Sequence, residues 1–263
     1  MNFRTIIIAS FLFISAAVNC QTDTKINITD QNGFKQGNWI KKYPNGNILY
    51  EGFFKDNHPV GEFKRYYEDK TLKSILIYSS NGQEAVAEIF HPNGYIASKG
   101  KYINQLKEGE WQFFSEIFKG YLISEEQYSG NIRNGISLTF YPDSTVAEKV
   151  IYINNVKQGE WIKYYPDGKI CLKSNYKDGK VNGKFEAWYE NGAIQFSGQY
   201  KNDLRNGTWL IFNNIGSLKY KMQYLDGVTK DRQLDINESK YLDSLELNKG
   251  KIADPEKFGI IQE

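Results

Sequence analysis

The chain alternates runs of aromatic and β-branched residues with turns rich in Gly, Asn and Asp. Three related stretches, which begin at Gly37, Gly159 and Gly183, read GNWIKKYPNGNILYEGFFKDN, GEWIKYYPDGKICLKSNYKDG and GKFEAWYENGAIQFSGQYKND. Each contains two runs in which apolar and polar residues alternate, a pattern typical of β-strands. Each stretch therefore predicts two strands joined by a tight turn.

This pattern recurs at an almost constant spacing. Eight units follow one another in steps of 24 residues, with a single step of 26 that reflects a two-residue insertion around Ile117. They begin at Gly37, Gly61, Ala85, Gly109, Gly135, Gly159, Gly183 and Gly207. A fixed period of this length indicates a repeat fold, and it predicts a repeat array over residues 37–227.

The units share four columns of mostly apolar residues. The tryptophan column, two residues after each start, holds Trp39, Phe63, Ala87, Trp111, Ser137, Trp161, Phe185 and Trp209. The second aromatic column holds Lys42, Tyr66, Phe90, Phe114, Phe140, Tyr164, Trp188 and Phe212. The aliphatic column holds Ile48, Leu72, Ile96, Leu122, Val146, Ile170, Ile194 and Leu218. The tyrosine column holds Phe54, Tyr78, Tyr102, Tyr128, Tyr152, Tyr176, Tyr200 and Tyr224, and it is aromatic in every unit.

The turns and the columns together predict the fold class. Asn-Gly and Asp-Gly pairs, as in PNG at 44–46 and PDG at 166–168, accept the positive φ angles of hairpin turns. A lone hairpin is marginal in water, but successive hairpins add ladder hydrogen bonds and cross-strand ring pairs. We therefore expect an all-β, elongated antiparallel β-meander of hairpin repeats.

Three glycines are expected to serve ring packing rather than turns. Gly52, Gly100 and Gly198 precede the tyrosine column by two residues, so they share its face of the sheet. A bare backbone at these positions would let a neighbouring ring lie flat on it.

The first twenty residues, MNFRTIIIASFLFISAAVNC, differ from the rest of the chain. Arg4 precedes the apolar run Ile6–Ile14, and small residues follow, as in a secretory signal peptide over residues 1–20. The run is too short to span a bilayer. We expect an exported protein, located in the periplasm or cell envelope or secreted. Lipidation of Cys20 is the alternative, but Asn19 before it favours simple secretion.

The two flanks of the array have different expectations. Residues 21–36 are expected to be a loosely ordered linker. The tail, residues 228–263, has Asp235 and Glu238 in capping-box spacing, which predicts a helix over Ile236–Lys249 that caps the last strand.

With its columns aligned, the chain resembles a known repeat family. The phrase GxW…YYPNGxI…GxYK(D/N)…G, at 159–183 and 183–207, is similar to the bacterial variant of the MORN repeat found in YwqK-like antitoxin proteins. The resemblance covers residues 37–227. It implies an elongated, twisted antiparallel sheet that acts as an interaction module, and it brings no catalytic residues with it.

Charge gives little indication of a polyanionic partner. The 33 basic and 31 acidic residues leave a formal net charge of +2, so neither nucleic acid nor an anionic membrane is required. Membrane contact is expected only through lipidation of Cys20 or weak surface binding. The lysines of the connections lie among acidic residues and are expected to form a solvated edge. They are Lys55, Lys107, Lys157, Lys177 and Lys201.

Candidate chemistry is sparse. His91 stands where other units have Tyr and is expected to replace that ring, while His58 is expected to be an exposed loop residue. Two separated histidines and the lone array cysteine, Cys171, form no zinc motif. A Cys171 disulfide is not expected once the leader with Cys20 is removed. The glycines of GNIRNG at 130–135 precede a strand rather than a helix, so they are expected to form turns.

Asp and Asn follow the tyrosine column in most units, at Asp56, Asn104, Asn154, Asp178, Asn202 and Asp226. A calcium array is conceivable, but tight turns favour these residues in any case, and we interpret them as turn formers. We therefore expect no metal, no cofactor, no catalytic residues and no enzymatic activity.

Three functions remain open at this level. The first is a non-enzymatic protein-binding or scaffold module, which uses an aromatic-rich sheet. The alternatives are an antitoxin-like neutraliser of a toxin, or an envelope carbohydrate-binding protein or enzyme that places exposed Tyr and Trp rings against sugars. Exposed aromatic residues that line a concave groove would favour the last. The sequence identifies neither the partner-binding residues nor the oligomeric state.

Overall fold

The computed structural model describes residues 25–236 and residue 240. The described residues form nineteen strands, and residues 232–236 are helical. The strands are β1 (Ile28–Thr29), β2 (Lys35–Lys42), β3 (Ile48–Lys55), β4 (His58–Tyr66), β5 (Leu72–Tyr78), β6 (Glu84–Phe90), β7 (Ile96–Ile103), β8 (Leu106–Phe114), β9 (Leu122–Ser129), β10 (Ile132–Phe140), β11 (Val146–Ile153), β12 (Val156–Tyr164), β13 (Ile170–Lys177), β14 (Lys180–Val181), β15 (Gly183–Trp188), β16 (Ile194–Lys201), β17 (Leu204–Phe212), β18 (Leu218–Leu225) and β19 (Val228–Thr229).

The strands form an antiparallel meander in sequence order. The eight units correspond to the hairpins β2–β3, β4–β5, β6–β7, β8–β9, β10–β11, β12–β13, β15–β16 and β17–β18. Strand β13 pairs with both β14 and β15, which are consecutive pieces of the next strand. The predicted fold class is confirmed.

The turns inside hairpins and the turns between units differ in backbone conformation. In the turn of the first hairpin, residues 43–47, only Gly46 has positive φ (87°), and its N–H donates to the carbonyl of Tyr43 at 3.0 Å. Between units, Asp56 (φ 50°) and Asn57 (φ 67°) are both left-handed, as a two-residue type I′ turn requires. The tightest turns therefore connect units, and the Asn-Gly turns within hairpins need only one left-handed residue.

The core lies on one face of the sheet, the inner face, which carries the tryptophan and tyrosine columns. Trp111, Trp161 and Trp209 are at most 1% exposed. Their rings contact the tyrosine column: the centroids of Tyr102 and Trp111 are 4.8 Å apart, and those of Tyr200 and Trp209 are 5.1 Å apart. In both pairs the tyrosine belongs to the preceding unit. The predicted ring ladder is confirmed, and it links neighbouring units.

The three predicted ring-packing glycines lie under rings of the next unit. A Cβ built on Gly100 would lie 2.5 Å from Cε2 of Trp111, and Gly198 lies in the same way under Trp209. Gly52 lies under Phe63. The prediction for these glycines is confirmed.

Where the glycine is absent, the packing at this position differs. Leu76 is paired with the small Ala87. Val150 is paired with Trp161, whose indole N–H donates to Glu148 at 2.6 Å, whereas Trp111 donates to a backbone carbonyl, that of Lys101, at 3.1 Å. The glycine is thus replaced either together with a small facing residue or together with a different hydrogen-bond partner for the indole.

A row of tyrosine hydroxyl groups ties each hairpin turn to the next unit. Tyr43 donates to the carbonyl of Tyr66 at 2.8 Å, and Tyr165 donates to that of Trp188 at 2.6 Å. The same contact is made by Tyr67, Tyr141 and Tyr189. His91 joins the row through Nε2, 3.1 Å from the carbonyl oxygen of Phe114. The prediction that His91 replaces a tyrosine is confirmed.

The unit with the insertion keeps this tie by another residue. Ser115 stands at its tyrosine position and accepts hydrogen bonds from the N–H groups of Ile117 and Phe118. Tyr121, beyond the insertion, donates to the carbonyl of Phe140 at 2.8 Å instead. The inserted residues are accommodated without loss of the inter-unit hydrogen bond.

The outer face of the sheet carries charged side chains that pair across strands. Glu160 lies between two lysines, 3.3 Å from Lys149 and 2.9 Å from Lys173. Along each strand, apolar residues on the inner face therefore alternate with charged residues on the outer face, as expected for a sheet with one solvated side.

Both ends of the array differ from expectation. The segment before the first unit is not loosely ordered from Ile28 onward, because β1 pairs with Lys35 and Gln36 of β2. The helix begins at 232 rather than Ile236, and its predicted part beyond 236 lies outside the described residues, apart from residue 240. Asp235 does not cap this helix, because its carboxylate accepts hydrogen bonds from Tyr224 (2.6 Å) and Arg205 (2.8 Å) of the last unit.

Gly100→Ala should destabilise the array by about 1–3 kcal/mol or more, because the added methyl group overlaps the indole of Trp111. Urea unfolding of the full chain measures this cost, with the exposed strand neighbour Lys101→Ala as control. In a Trp111→Ala background the same glycine substitution should cost less, since the ring is gone. Equal costs in the two backgrounds would contradict the proposed overlap.

His91→Phe should lower the free energy of unfolding by about 1 kcal/mol, because the carbonyl of Phe114 loses its partner. His91→Tyr restores the hydroxyl that other units use and should leave the melting temperature unchanged or raise it. If the Phe and Tyr variants melt together, the hydrogen bond does not contribute to stability.

Candidate binding groove

Cations cover the rings of the inner face. Lys107 Nζ lies 4.8 Å from the ring centroid of Tyr128 and 5.2 Å from that of Trp111. Lys157 lies 5.0 Å from the ring of Tyr176. The expectation of a solvated edge is therefore wrong for these two lysines, whose ammonium groups are attracted by the ring faces. The other three, Lys55, Lys177 and Lys201, are exposed as expected.

The first unit leaves this ring-covered face partly open. Trp39 is only half-buried, because a two-residue strand rather than a complete unit precedes it. Lys35 Nζ lies 4.8 Å from its ring and 4.9 Å from that of Phe54. Lys35 occupies the same repeat position as Lys107, so this contact belongs to the scaffold. The openness around it does not recur in the central units.

A groove of about 1140 Å³ lies at this end of the array. We call it the first-unit groove. Its lining residues are Ile26, Asn27, Lys35, Trp39, Ile40, Lys41, Lys42, Gly46, Asn47, Ile48, Tyr50, Tyr66 and Lys70. Four of these are lysines and none is acidic. The groove therefore combines an aromatic and aliphatic wall with a concentration of positive charge.

The lysines of the groove are not neutralised by neighbours. Within residues 25–236, no carboxylate forms an ion pair with Lys35, Lys41, Lys42 or Lys70, and the last three are exposed. The nearby Glu51 instead accepts a hydrogen bond of 2.5 Å from the hydroxyl of Tyr66. Burial and this hydrogen bond raise the pKa of Tyr66 to about 12, so Tyr66 adds no negative charge at neutral pH.

Two of these lysines depart from their repeat columns. Lys42 stands in the second aromatic column, where the seven other units carry Tyr, Phe or Trp. Lys70 has φ 76° and occupies the left-handed turn position that Gly46 and Gly94 fill in neighbouring units. A left-handed side-chain-bearing residue costs about 1 kcal/mol or more, and such strain clusters at functional sites. The column departures could have pointed to the groove from sequence.

The other candidate residues serve the fold. Asp56, Asn104, Asn154, Asp178, Asn202 and Asp226 all have left-handed φ between 46° and 52°, which confirms that they are turn formers. The second residue of such turns binds the preceding unit: Asn57 Oδ1 accepts the N–H of Lys35 at 2.7 Å, and Asn155 Oδ1 that of Arg133 at 2.8 Å. Gly130 and Asn131 form the predicted turn, and His58 is exposed but opens β4 rather than lying in a loop.

Two properties of the described residues bear on other kinds of site. Within residues 25–236, no group of three or more His, Cys, Asp and Glu is placed to hold a metal ion. The same part of the chain contains no helix with the length and apolar character needed to cross a bilayer.

Cys171 is a free, buried thiol. It is 7% exposed and packs in the apolar cluster that contains Trp161 and Leu172. Burial raises the pKa of its thiol to about 11. At pH 8 the thiolate fraction is then about a hundredfold lower than for an unperturbed thiol.

In the Cys20→Ser chain, Cys171 should react with the thiol reagent DTNB far more slowly in the native state than in urea. Lys201→Cys, which places a second thiol at the exposed end of β16, should give one rapidly reacting equivalent and one slow one. Rapid native labelling of both thiols would show that Cys171 is accessible.

Comparison with known proteins identifies the repeat. The family model of the MORN repeat variant matches residues 35–56, 59–80, 157–178 and 181–202, about a third of the chain. These segments coincide with the units that begin at Gly37, Gly61, Gly159 and Gly183. No curated protein matches the chain.

Two solved structures show partial similarity. The crystal structure of TarM aligns at 15% identity over 54% of this chain and 20% of that chain, with a TM-score of 0.17. The crystal structure of TcdB2-TccC3 without its hypervariable C-terminal region aligns at 14% identity over 75% of this chain and 12% of that chain, with a TM-score of 0.19. The chain thus spans a fifth or less of either neighbour's length. The finding that bears on this chain is the repeat itself: four of its eight units match the MORN repeat variant.

Proposed function

We propose that this chain is a non-enzymatic binding module that is exported to the cell envelope or the extracellular space and recruits another protein. The repeat array is the rigid scaffold, and the first-unit groove is the binding site. The observation that carries the proposal is the contrast between the ends of the tryptophan column. Trp111, Trp161 and Trp209 are sealed, whereas Trp39 lines an open groove with unpaired lysines around it.

A broad aromatic binding face is not supported by the burial of the rings. The tyrosine column is also largely buried, with Phe54, Tyr102 and Tyr176 between 5% and 8% exposed. Rings that pack against one another in this way stabilise the sheet and are not free for a partner. The proposal therefore places recognition at one end of the array instead of along its whole face.

Sugar binding is the second candidate, because a groove with aromatic residues is present. Carbohydrate recognition needs an open ring face for stacking, however. The ammonium group of Lys35 lies above Trp39 and 3.4 Å from the hydroxyl of Tyr50, so both rings already have a partner. We therefore rank a protein partner above a neutral sugar. An antitoxin-like role would be one form of such protein binding.

Site-specific photocrosslinking in the native cells tests this function. A photoreactive phenylalanine analogue at Ile48, inside the groove, should form a discrete adduct with a partner protein, identified by mass spectrometry. The same analogue at Gln199, exposed on the outer face of β16, is the matched control and should form none. Adducts of equal yield at both positions, or at neither, would contradict a binding site in the groove.

A further inference from the structure

We infer that the first-unit groove recognises an extended acidic peptide segment that also carries apolar side chains. This inference rests on the proposed function and names the partner's chemistry. It is carried by the charge of the groove, by the nature of its wall and by the position of its lysines in the repeat.

Charge selects an anionic occupant. Lys41, Lys42 and Lys70 are exposed and Lys35 is half-buried, and none of them is ion-paired within residues 25–236. Like charges that line one groove repel one another, and a bound carboxylate relieves that repulsion. Lys149 and Lys173, in contrast, are both ion-paired with Glu160. At the groove, four lysines that have no ion pair among residues 25–236 line one concavity.

The wall of the groove selects a peptide among anions. Ile26, Ile40 and Ile48 lie beside the lysines, and Ile26 is 50% exposed. Nucleic acids and sulfated polysaccharides present little apolar surface to such a wall, whereas a peptide can alternate acidic and apolar side chains on its two faces. The combination fits a segment in which Asp or Glu alternates with residues such as Leu.

The groove also lies at an edge of the sheet that is only partly covered. Strand β1 pairs only with Lys35 and Gln36 of β2. Asn27 extends this covering: its side chain accepts the N–H of Ile40 at 2.8 Å and donates to the carbonyl of Ile40 at 3.0 Å. The covering ends at Ile40, just before Lys41 and Lys42. An extended segment placed there continues the line of β1 along the groove.

The repeat supplies variants that remove charge without removing structure. Lys42→Phe restores the residue type of the second aromatic column, and Lys70→Gly restores the turn glycine. Both changes follow the pattern of the other units, so the double variant should melt at the same temperature as the parent chain or higher. A loss of binding in this variant therefore reports the lysines and not the fold.

The test measures by fluorescence anisotropy the binding of a fluorescein-labelled twelve-residue peptide of alternating Glu and Leu to the full chain. The peptide should bind, and its affinity should fall as salt rises. Lys42→Phe/Lys70→Gly should weaken binding about tenfold. The control Lys55→Gln/Lys201→Gln removes the same charge from exposed positions at the C-terminal ends of β3 and β16 and should leave the Kd within about twofold.

Two comparison probes make the result specific. A Lys/Leu peptide should not bind, and a Glu/Ser peptide should bind more weakly than Glu/Leu because it cannot contact the isoleucine wall. Tighter binding of single-stranded DNA or heparin with the same lysine dependence would overturn the peptide assignment. Equal loss in the groove and control variants would reduce the effect to net charge and overturn it as well.

Failure of the inference is distinguishable from failure of the function. If no acidic peptide binds but the analogue at Ile48 still crosslinks a partner in cells, the groove binds a protein of different chemistry and only this inference falls. If neither occurs, the proposed binding site falls with it.

Discussion

The packing of a ring from one unit on the strand of the unit before it is the interaction on which the whole array depends. A hairpin alone has no neighbouring unit on whose strand an indole ring could pack. Trp209 is sealed only because Gly198 leaves room for it and Tyr200 packs against its edge. Stability therefore resides at the interfaces between units as much as within them. The buried polar residues Ser124, Glu126 and Ser137 lie on the inner face between two apolar clusters.

Most of the fold could be predicted because each unit has neighbours of the same kind. The residue that meets Trp111 is set by the period, so Gly100 could be placed under a ring from sequence alone. The turn types could not, since Asn-Gly fits several turns and the choice depends on the register of the flanking strands. The role of Lys107 was missed because an ammonium group above rings and one in water have the same sequence pattern. The helix start was missed because Asp235 bonds to distant Arg205 and Tyr224 rather than to its own helix.

The groove could be predicted only in part. Lys42 departs visibly from an aromatic column, and Lys70 from a glycine position, so the first two units are marked as atypical. Which rings remain exposed depends on how far residues 27–29 extend along β2. Tertiary contacts, rather than the local sequence, determine this. The two ends of the array are consequently unlike. The last unit is closed by Asp235 and by the packing of Leu234 on the cluster around Met222, whereas the first keeps an open edge.

The hydroxyl of each turn tyrosine restricts how such a chain can change in length. The hydroxyl of Tyr165 donates to a carbonyl 23 residues further on. At the opposite ends of the strands, the side-chain oxygen of Asn155 accepts the N–H of Arg133, 22 residues earlier. Hydrogen bonds at both ends of the strands thus link residues that are about one repeat apart. Gain or loss of a whole unit by recombination keeps every one of these hydrogen bonds, whereas an insertion or deletion of a few residues breaks one at each end of the strands. The insertion near Ile117 is tolerated because Tyr121 supplies the missing hydroxyl. Length variation in this gene is therefore expected in whole repeats, with rare exceptions at a turn where a nearby tyrosine can make the same hydrogen bond.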